Sequence, residues 1–349
     1  MIRFGLIGLG KISRVHLPAY KSSNKAQVVA VCDVNHDVVK QTAADYDAEA
    51  YTDYKELLAN KNIDAVDIML PHYMHYSVAK DALLARKHTI VEKPLATTSQ
   101  EALDLIKISE KSDVKITVAE NTRFVIAYIE AKKLIENGKL GKIRLIRTFI
   151  SGTGVQGLEN IHNWTGRTDK RGGIILDCAP HSFYLIKWIF GDIEKVWACK
   201  SRLVQKSEVE DYAVISGYLT NGVLFSTEFT DTAENPWTER LEVYGDRGTL
   251  FIDQLSNPPA IFFKGNRDYK GEYIDSIPYD PEGWKIRSIQ AEIIDFIDSI
   301  CDNRETKVNP WDAYEGLKVI EKVYDKVTNV YEPKTHNSIN SGYENVRSY

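Results

Sequence analysis

The sequence has few cysteines and no long apolar run, and each absence excludes a class of protein. Its four cysteines stand at positions 32, 178, 199 and 301, without a C-x-x-C pair, so neither a zinc site nor a disulfide framework is expected. Free thiols predict a reducing compartment. Because the N-terminus lacks a charged leader and a small-residue cleavage site, the expected location is the cytoplasm. No run reaches the roughly 20 apolar residues that span a bilayer, so no membrane partner is expected.

The chain also has no excess of basic residues. The chain has 44 Lys and Arg against 49 Asp and Glu, a net charge of −5, and it contains no basic block. Because phosphate neutralisation needs clustered cations, no nucleic-acid partner is expected. The hydrophobic fraction of 43% is enough to bury a core, which excludes disorder of the whole chain. At roughly 150 residues per domain, the 349 residues predict about two domains.

The first 120 residues alternate between strand and helix patterns. Apolar runs predict strands at 2–7, 28–31, 65–70, 89–91 and 115–118, and helices at 11–22, 36–46, 53–60, 75–86 and 100–111. Asp53 with Glu56, and Thr98 with Glu101, have the spacing of helix-capping pairs. Such alternation predicts a Rossmann domain, an α/β fold with a doubly wound parallel sheet whose ligands lie beyond the carboxyl ends of the strands.

The remainder of the chain is richer in strands. A helix is predicted at 126–137, strands at 145–150, 193–200, 209–219, 222–229, 239–244, 248–252 and 260–263, and closing helices at 285–301 and 310–327. Turn dipeptides between consecutive strands indicate hairpins, as at Asn221-Gly222. The expected domains are 1–122, a Rossmann domain, and 123–330, an α+β domain with a large, mostly antiparallel open sheet, whose last helix packs back on the first domain. The polar tail 331–349 is either disordered or an arm on another subunit.

A glycine-rich loop connects the first strand to the first helix. Gly8-Leu9-Gly10-Lys11-Ile12-Ser13 has the G-x-G-x-x-small spacing of a dinucleotide loop, in which Gly8 permits the tight turn and Gly10 allows close approach of a pyrophosphate. Asp33 ends the second strand, where a carboxylate accepts hydrogen bonds from the ribose hydroxyls. Because no Arg follows Asp33, NAD is favoured over NADP. Gly8, Gly10, Lys11, Ile12 and Asp33 are therefore candidate cofactor-binding residues.

Together with this loop, four further motifs give the chain a resemblance to the Gfo/Idh/MocA family, named for glucose–fructose oxidoreductase and inositol dehydrogenase. They follow in the family's order and are Pro71–His75, Glu92-Lys93-Pro94, Asn121–Phe124 and Gly172–His181. The resemblance implies a Rossmann domain followed by a domain built on a large open sheet. It also implies hydride exchange between a nicotinamide and a sugar or polyol carbon, with Lys93, Asp177 and His181 as the catalytic residues and a cis Lys93–Pro94 bond.

The chemistry of alcohol oxidation is consistent with those three residues. The departing hydroxyl proton needs an acceptor with a pKa near neutrality, and His181 is the candidate general base. The ammonium of Lys93 would stabilise the developing alkoxide, and burial beside the nicotinamide would lower its pKa. Asp177 would bind a neighbouring substrate hydroxyl, and helical i,i+4 spacing would place it beside His181. Pro180 implies either a kink or a helix that begins near Cys178.

Other candidates near the cofactor have more than one interpretation each. Pro71 and His75 follow a strand, and His75 either lines the nicotinamide edge or caps the next helix. Glu92 either positions the Lys93 loop, or positions the cofactor, or makes a structural hydrogen bond, and the last of these is favoured. Arg123 is a candidate substrate-binding residue, although an interdomain role is favoured for it.

Substrate recognition is expected from the segment 162–167, in which Asn163, Trp164 and Arg167 would join Lys93, Asp177 and His181 in a carbohydrate or polyol pocket, since flat rings suit C–H faces. Trp164 and Trp237 are equally consistent with ordinary packing. The family often has Asp three residues after the catalytic histidine, but this chain has Tyr184.

Three functions remain open from the sequence. The leading one is an NAD(P)-dependent dehydrogenase or reductase acting on a sugar or cyclitol. The alternatives are an NAD-dependent glycoside hydrolase that oxidises its substrate transiently and a non-catalytic nucleotide or sugar sensor. An open sheet face needs a cover, which predicts a homodimer or homotetramer formed through the C-terminal sheet.

Overall fold

A computed structural model describes residues 1–152, 163–203, 207–265, 267 and 270–331 of the chain. His162 and the tail beyond residue 331, both considered in the sequence predictions, lie outside the described residues. The described part forms two sheets with helices packed around them. One sheet is parallel and the other is mostly antiparallel, as predicted.

The first sheet has six parallel strands in the order β3-β2-β1-β4-β5-β6, a doubly wound arrangement. Its elements are β1 (Ile2–Ile7), α1 (Ser13–Ser22), β2 (Ala26–Cys32), α2 (His36–Tyr46), β3 (Glu49–Tyr51), α3 (Tyr54–Ala59), β4 (Ala65–Ile68), α4 (His72–Leu84), β5 (His88–Glu92), α5 (Ser99–Ser112) and β6 (Ile116–Ala119). The predicted capping box of Thr98 and Glu101 opens α5. The sequence did not predict β3, because only three residues, mostly exposed, form it.

The second sheet has nine strands in the order β14-β13-β12-β11-β7-β10-β9-β8-β15. The elements of this half are α6 (Ile126–Glu136), β7 (Ile143–Ser151), α7 (Ile174–Phe190), β8 (Ile193–Ser201), β9 (Tyr212–Leu219), β10 (Leu224–Thr230), β11 (Thr238–Gly245), β12 (Thr249–Asp253), β13 (Ala260–Phe263), β14 (Glu272–Tyr273), α8 (Trp284–Cys301), α9 (Pro310–Lys326) and β15 (Thr328–Tyr331). Neighbouring strands are antiparallel except β7 with β10 and β8 with β15. Residue 331, expected in the tail, instead ends β15.

Helix α7 begins before Cys178, where one of the two sequence interpretations placed its start. It starts at Ile174, so Pro180 lies in its interior and the interpretation that places this proline in the first turn is wrong. The early start has a local cause. Gly173 has a φ of 108°, and the first two helical N–H groups donate to Glu210, from Ile174 to its carbonyl and from Ile175 to its carboxylate. These bonds satisfy donors that have no partner within the helix.

The two closing helices connect the halves of the molecule. Helix α9 packs on α5, where Glu321 accepts hydrogen bonds from the backbone and the hydroxyl of Ser99. This is the predicted return of the last helix. The sequence did not predict that α8 also returns. Its residues Ile293 and Phe296 share an apolar cluster with β1, and the rings of Phe296 and Phe4 are 6.2 Å apart.

Candidate active site

Lys93 and Asp177 meet although they are 84 residues apart in the chain. Lys93 follows β5 at the carboxyl edge of the parallel sheet, and Asp177 lies in the first turn of α7. The Lys93 Nζ atom is 2.6 Å from Asp177 Oδ1 and 3.0 Å from the Asp177 carbonyl oxygen. The bond between Lys93 and Pro94 is cis, as the family resemblance implied. The predicted pair therefore exists as a nearly buried ion pair.

The charge state of Lys93 differs from the sequence expectation. Burial disfavours its ammonium, but the charge of Asp177 and the hydrogen bond to it outweigh burial and raise the pKa of Lys93. The expectation of a lowered pKa is therefore wrong for this structure, because it did not consider the carboxylate beside the amine. Burial likewise disfavours the Asp177 carboxylate, but Lys93 reverses this effect and lowers its pKa. Both groups are charged near neutral pH, and Lys93 is a hydrogen-bond donor there.

His181 lies one turn after Asp177 on α7 and contacts the carboxylate of Glu120, a strand-end residue to which the sequence assigned no role. Its Nδ1 atom is 2.8 Å from Glu120 Oε1, and both side chains are buried. Because Glu120 also accepts a hydrogen bond from the Thr122 hydroxyl on the same oxygen, its carboxylate is fixed. We assign the proton to Nδ1 of His181, donated to Glu120, which leaves Nε2 as an acceptor. The signal was available, since Glu120 directly follows the sixth strand.

His72 is a second residue that the sequence analysis did not single out. It opens α4, and its Nε2 atom is 3.6 Å from Asp177 Oδ1. Burial lowers the pKa of His72 well below its usual value, so the imidazole is neutral at pH 7. Its ring contacts Trp164 edge-on at 4.5 Å between centroids. His72 and Trp164 therefore form one wall beside Asp177, and the motif Pro71–His75 was the available signal.

His75 and Pro71 organise the same edge of the parallel sheet. Pro71 is the N-cap residue of α4, which begins at His72, so the interpretation of His75 as a helix cap is wrong. Because His75 sits inside the first turn and is fully buried, its ring faces inward. Its two ring nitrogens lie 2.7 Å from the carbonyl oxygen of Pro94 and 2.6 Å from that of Leu70. His75 thus joins α4 to the Lys93 turn.

Glu92 makes contacts that fit two of its interpretations, a structural hydrogen bond and a contact with the Lys93 loop. One of its carboxylate oxygens is 2.9 Å from His16 Nε2, and the other accepts the Lys93 backbone N–H at 3.0 Å. Arg123 donates to Asp312 at 2.8 Å and to the carbonyl oxygen of Lys307, which connects the segment after β6 to α9. These contacts favour the interdomain role for Arg123.

The residues of the predicted substrate segment make different kinds of contact in the structure. Trp164 lies against His72, and the Asn163 side chain accepts the Thr165 N–H at the start of a short 3₁₀ helix. The Arg167 guanidinium instead makes an exposed ion pair with Asp169 at 2.8 Å.

Tyr184 stands where the family often has Asp, and it lines a small cavity together with Lys93 and Glu120. Its buried ring stacks under the guanidinium of Arg123, 5.2 Å from the ring centroid. Trp237 also has a structural partner, since its indole N–H donates to Glu239 at 2.9 Å. Glu239 lines the same small cavity as His181.

The glycine loop fits a dinucleotide. Gly8 has a φ of 93°, and a Cβ there would lie 2.4 Å from the Met69 carbonyl oxygen, so only glycine is accommodated. A Cβ on Gly10 would meet nothing within 4 Å, which leaves open space over the loop. Asp33 accepts the Leu9 N–H at 2.7 Å, and so holds its carboxylate at the rim of this loop. A carboxylate has further lone pairs for ribose hydroxyls.

A further cavity lies away from the predicted catalytic residues. It encloses about 520 Å³ between α9, the end of β8 and the first turn of α7, and its lining includes Gly172 and Leu176 but none of the predicted catalytic residues. Smaller cavities adjoin Asp177 with His72 and, separately, His181 with Glu239. Within the described ranges, no group of three or more metal-ligating side chains occurs, and no helix is long and apolar enough to cross a membrane.

Two family models match the chain. Residues 2–120 match the model of the oxidoreductase family with an NAD-binding Rossmann fold, and residues 128–251 match the GFO/IDH/MocA C-terminal domain. An uncharacterized oxidoreductase of Synechocystis sp. is 30% identical over 71% of this chain and 70% of the relative. The myo-inositol 2-dehydrogenase of Thermotoga maritima is 28% identical over 78% of this chain and 81% of its own length.

Solved structures show the same fold. A levoglucosan dehydrogenase in complex with NADH and levoglucosan has a TM-score of 0.83 at 22% identity, covering 93% of this chain and 96% of that chain. The WlbA dehydrogenase of Bordetella pertussis, in complex with NADH and UDP-GlcNAcA, has a TM-score of 0.80 at 22% identity, covering 93% and 95%.

Proposed function

Since the chain belongs to the Gfo/Idh/MocA family of NAD-binding oxidoreductases, we propose that it transfers a hydride at a secondary alcohol or carbonyl carbon of a sugar, a sugar derivative or a cyclitol. The observation that carries the proposal is the pairing of a charged donor with an oriented base. Lys93 is held by Asp177, and one helical turn away His181 is held by Glu120. These are the two groups that alcohol oxidation requires.

The proton path uses His181. With Nδ1–H donated to Glu120, the Nε2 lone pair accepts the hydroxyl proton of the substrate, and the Glu120 carboxylate stabilises the imidazolium that forms. In the reducing direction, the imidazolium returns this proton to the carbonyl oxygen. When NAD is bound, its nicotinamide would accept the hydride that leaves the substrate carbon.

Lys93 stabilises charge on the reacting oxygen. Its ammonium is charged and has three donors, two of which are engaged by Asp177, and the third is available to a developing alkoxide. Because Asp177 keeps Lys93 protonated, Lys93 acts as an electrostatic stabiliser in this mechanism, and His181 carries the proton. Asp177 has a second carboxylate oxygen for a neighbouring substrate hydroxyl, beside His72 and Trp164.

The substrate class is supported by the relatives and by the wall of the site. The Thermotoga maritima relative is named for myo-inositol, and two similar structures are complexes with carbohydrates. In this chain, Trp164 offers an aromatic ring close to the Asp177 carboxylate, the combination that suits a C–H face and an adjacent hydroxyl. Asn163 and Arg167 remain candidates for more distant hydroxyls.

The proposal favours NAD over NADP. The carboxylate of Asp33 is held at the glycine loop and would repel a 2′-phosphate, and the next residues, Val34 and Asn35, bring no positive charge. The expected compartment, the cytoplasm, belongs to the same proposal and rests on the four cysteines, which are free in the structure.

A second copy of the chain is proposed as the partner of the outer face of the nine-stranded sheet. The inner face packs on α7, where the rings of Phe225 and Phe183 are 6.4 Å apart. Strand alternation turns Leu224 outward, next to Tyr218 of β9, and Trp197 extends this surface. Trp197 is 52% exposed and Leu224 55% exposed in the single chain. Such an apolar patch favours a dimer or tetramer.

The test is incubation of the purified protein with free NAD and a panel of sugars and cyclitols, with NADH absorbance and product analysis as readouts. The proposal predicts stoichiometric NADH formation with at least one substrate. Cleavage of glycosides without net NADH would instead identify a glycoside hydrolase. Cofactor and sugar binding without either reaction would identify a sensor and would contradict the proposal.

A further inference from the structure

A buried polar cluster lies behind the Lys93 turn and takes no part in the proposed proton path. His16 of α1 is fully buried, with Nδ1 2.9 Å from Asp67 Oδ2 and Nε2 2.9 Å from Glu92 Oε1. The Tyr20 hydroxyl donates to the same oxygen of Asp67 at 2.9 Å. Three further ionisable groups interact with the cluster: Glu292, which α8 contributes, and Lys93 and His75, which act on Glu92.

The geometry defines the charge of His16. A neutral imidazole has only one N–H donor. Its other nitrogen would place a lone pair against a carboxylate oxygen, which is repulsive, whereas an imidazolium donates a hydrogen bond to both carboxylates. Burial disfavours the imidazolium, but the two carboxylates outweigh burial and raise the pKa of His16 well above its usual value. His16 is therefore a buried cation between Asp67 and Glu92.

Glu92 is the direct sequence neighbour of Lys93. Its carboxylate accepts a hydrogen bond from His16 on one oxygen and from the Lys93 backbone N–H on the other. The ammonium of Lys93 points instead to Asp177, at 2.6 Å. Without the imidazolium, Glu92 would be an uncompensated buried carboxylate one residue from that ammonium, and the two would attract each other strongly in a medium of low dielectric constant.

We propose that His16 is a positioning residue for Lys93. As an imidazolium between Asp67 and Glu92, it holds the Glu92 carboxylate on the Lys93 backbone, so that the ammonium stays directed at Asp177 and the substrate oxygen. This inference rests on the function proposed above for Lys93. The whole chain of contacts is His16 to Glu92, Glu92 to the backbone of Lys93, and Lys93 to Asp177.

The main test is the His16→Gln variant, which removes the positive charge. We expect kcat for hydride transfer to fall at least about tenfold, with the dissociation constant of NAD and the KM for the substrate changed less than about threefold. The matched control is Tyr20→Phe. It removes a hydrogen bond from the same cluster and lowers thermal stability, but it leaves the contact between His16 and Glu92 intact, so kcat should stay within about twofold.

The double variant His16→Gln/Glu92→Gln separates positioning from a structural role. If free Glu92 diverts the ammonium, removal of its charge should restore kcat at least about threefold over His16→Gln alone. A cluster that only stabilises the fold would give a double variant no more active than the worse single variant. That result, or an unchanged kcat in folded His16→Gln, would overturn the inference.

Two readouts are independent of the substrate. The rate of Lys93 acetylation by acetic anhydride, read by mass spectrometry, should fall at least about threefold in His16→Gln and recover in the double variant. Without the positive charge of His16, the Glu92 carboxylate would add to Asp177 in stabilising the protonated, unreactive ammonium of Lys93. If labelling changes in this way while no sugar is oxidised, the positioning role stands and the proposed function fails. In the unmodified protein, nitrogen chemical shifts should show His16 doubly protonated at pH 8; a neutral ring would overturn the inference even if the variants do not fold.

Discussion

The two sheets of this protein have different exposures and different tasks. Elements of both halves cover the six-stranded parallel sheet, and its strands β4 and β6 are buried along their whole length. The proposed cofactor and catalytic sites lie at the edge formed by the carboxyl ends of its strands. In chain order, β1, β2, β4, β5 and β6 are followed there by the glycine loop, Asp33, Pro71, Lys93 and Glu120. The nine-stranded sheet has alternating burial, because one face packs on α7 and the other carries exposed aromatic side chains.

This difference separates the places available to catalytic side chains from those available to packing side chains. Parallel strands bring their carboxyl ends to a common edge, so residues distant in sequence share one site. The antiparallel sheet instead offers two broad faces. One packs on α7, and the other is the proposed contact with another copy of the chain. Chemistry at the edge should therefore be sensitive to single side chains, and assembly on the face should be sensitive to charge.

The largest effect is expected at the edge of the parallel sheet. Lys93→Ala removes the donor to the reacting oxygen and should lower kcat at least about 10²-fold. Because Lys93 contacts Asp177 and not the glycine loop, NAD affinity should stay within about threefold, as measured by fluorescence titration. Unchanged turnover would exclude Lys93 from the mechanism and would show that this edge of the parallel sheet is not the site of hydride transfer.

Glu120 tests whether the edge also orients the base. Glu120→Gln removes the charge that stabilises the His181 imidazolium and should lower kcat about 10- to 100-fold, with NAD affinity unchanged. Thr122→Val is the matched control, since it removes the hydroxyl that shares the same Glu120 oxygen but retains the carboxylate. Equal losses in both variants would show that local packing is responsible and not the charge.

Asp33 tests the cofactor end of the same edge. Asp33→Ala should raise the dissociation constant of NAD about tenfold and reduce discrimination against NADP, because the acceptor for the ribose hydroxyls is lost. Asp37→Ala, at an exposed acid four residues later, should change neither affinity by more than about twofold. If the unmodified protein already binds NADP more tightly than NAD, the ribose argument is wrong.

A charge introduced on the outer face of the nine-stranded sheet should change the assembly of the protein and not its hydride transfer. Trp197→Glu places a carboxylate in the proposed contact, and sedimentation velocity should show a smaller species than the unmodified protein forms. Trp311→Glu changes an equally large residue, 40% exposed at the start of α9, and should leave the assembly unchanged. A monomer in both the variant and the unmodified protein would contradict a role of this face in assembly.

The smallest effect is expected where α8 joins the two halves. Burial, with nearby acids including Glu92, raises the pKa of Glu292 well above its usual value. Folding therefore takes up a proton, and this contribution to stability is full below about pH 4.3 and declines as pH rises toward the folded-state pKa. Glu292→Gln should raise Tm by about 2 °C or more at pH 8 and should flatten its pH dependence.

The sequence predicted the parallel half well because its signals are local. Apolar runs, the capping box at Thr98 and the glycine loop each depend on a few neighbouring residues, and the structure contains all of them. The strand-end rule drew attention to the edge at which Lys93 lies, and the family resemblance added Asp177, which the structure places beside it.

What the sequence did not predict depends on contacts between distant segments. The raised pKa of Lys93 comes from a carboxylate 84 residues away, and His72 became relevant only through Asp177. The start of α7 depends on Glu210, and the packing of α8 on β1 depends on apolar residues that any core would use. Strand β15 has only four residues and pairs with β8 far earlier in the chain.

The most direct test of the central claim is a crystal structure of the protein with NADH and a sugar or cyclitol that it oxidises. We expect the reacting oxygen to lie within about 3.2 Å of both Lys93 Nζ and His181 Nε2, with Glu120 still hydrogen-bonded to His181 Nδ1. A ligand bound instead in the cavity beside Leu176, or a reacting oxygen that contacts neither side chain, would contradict the central claim.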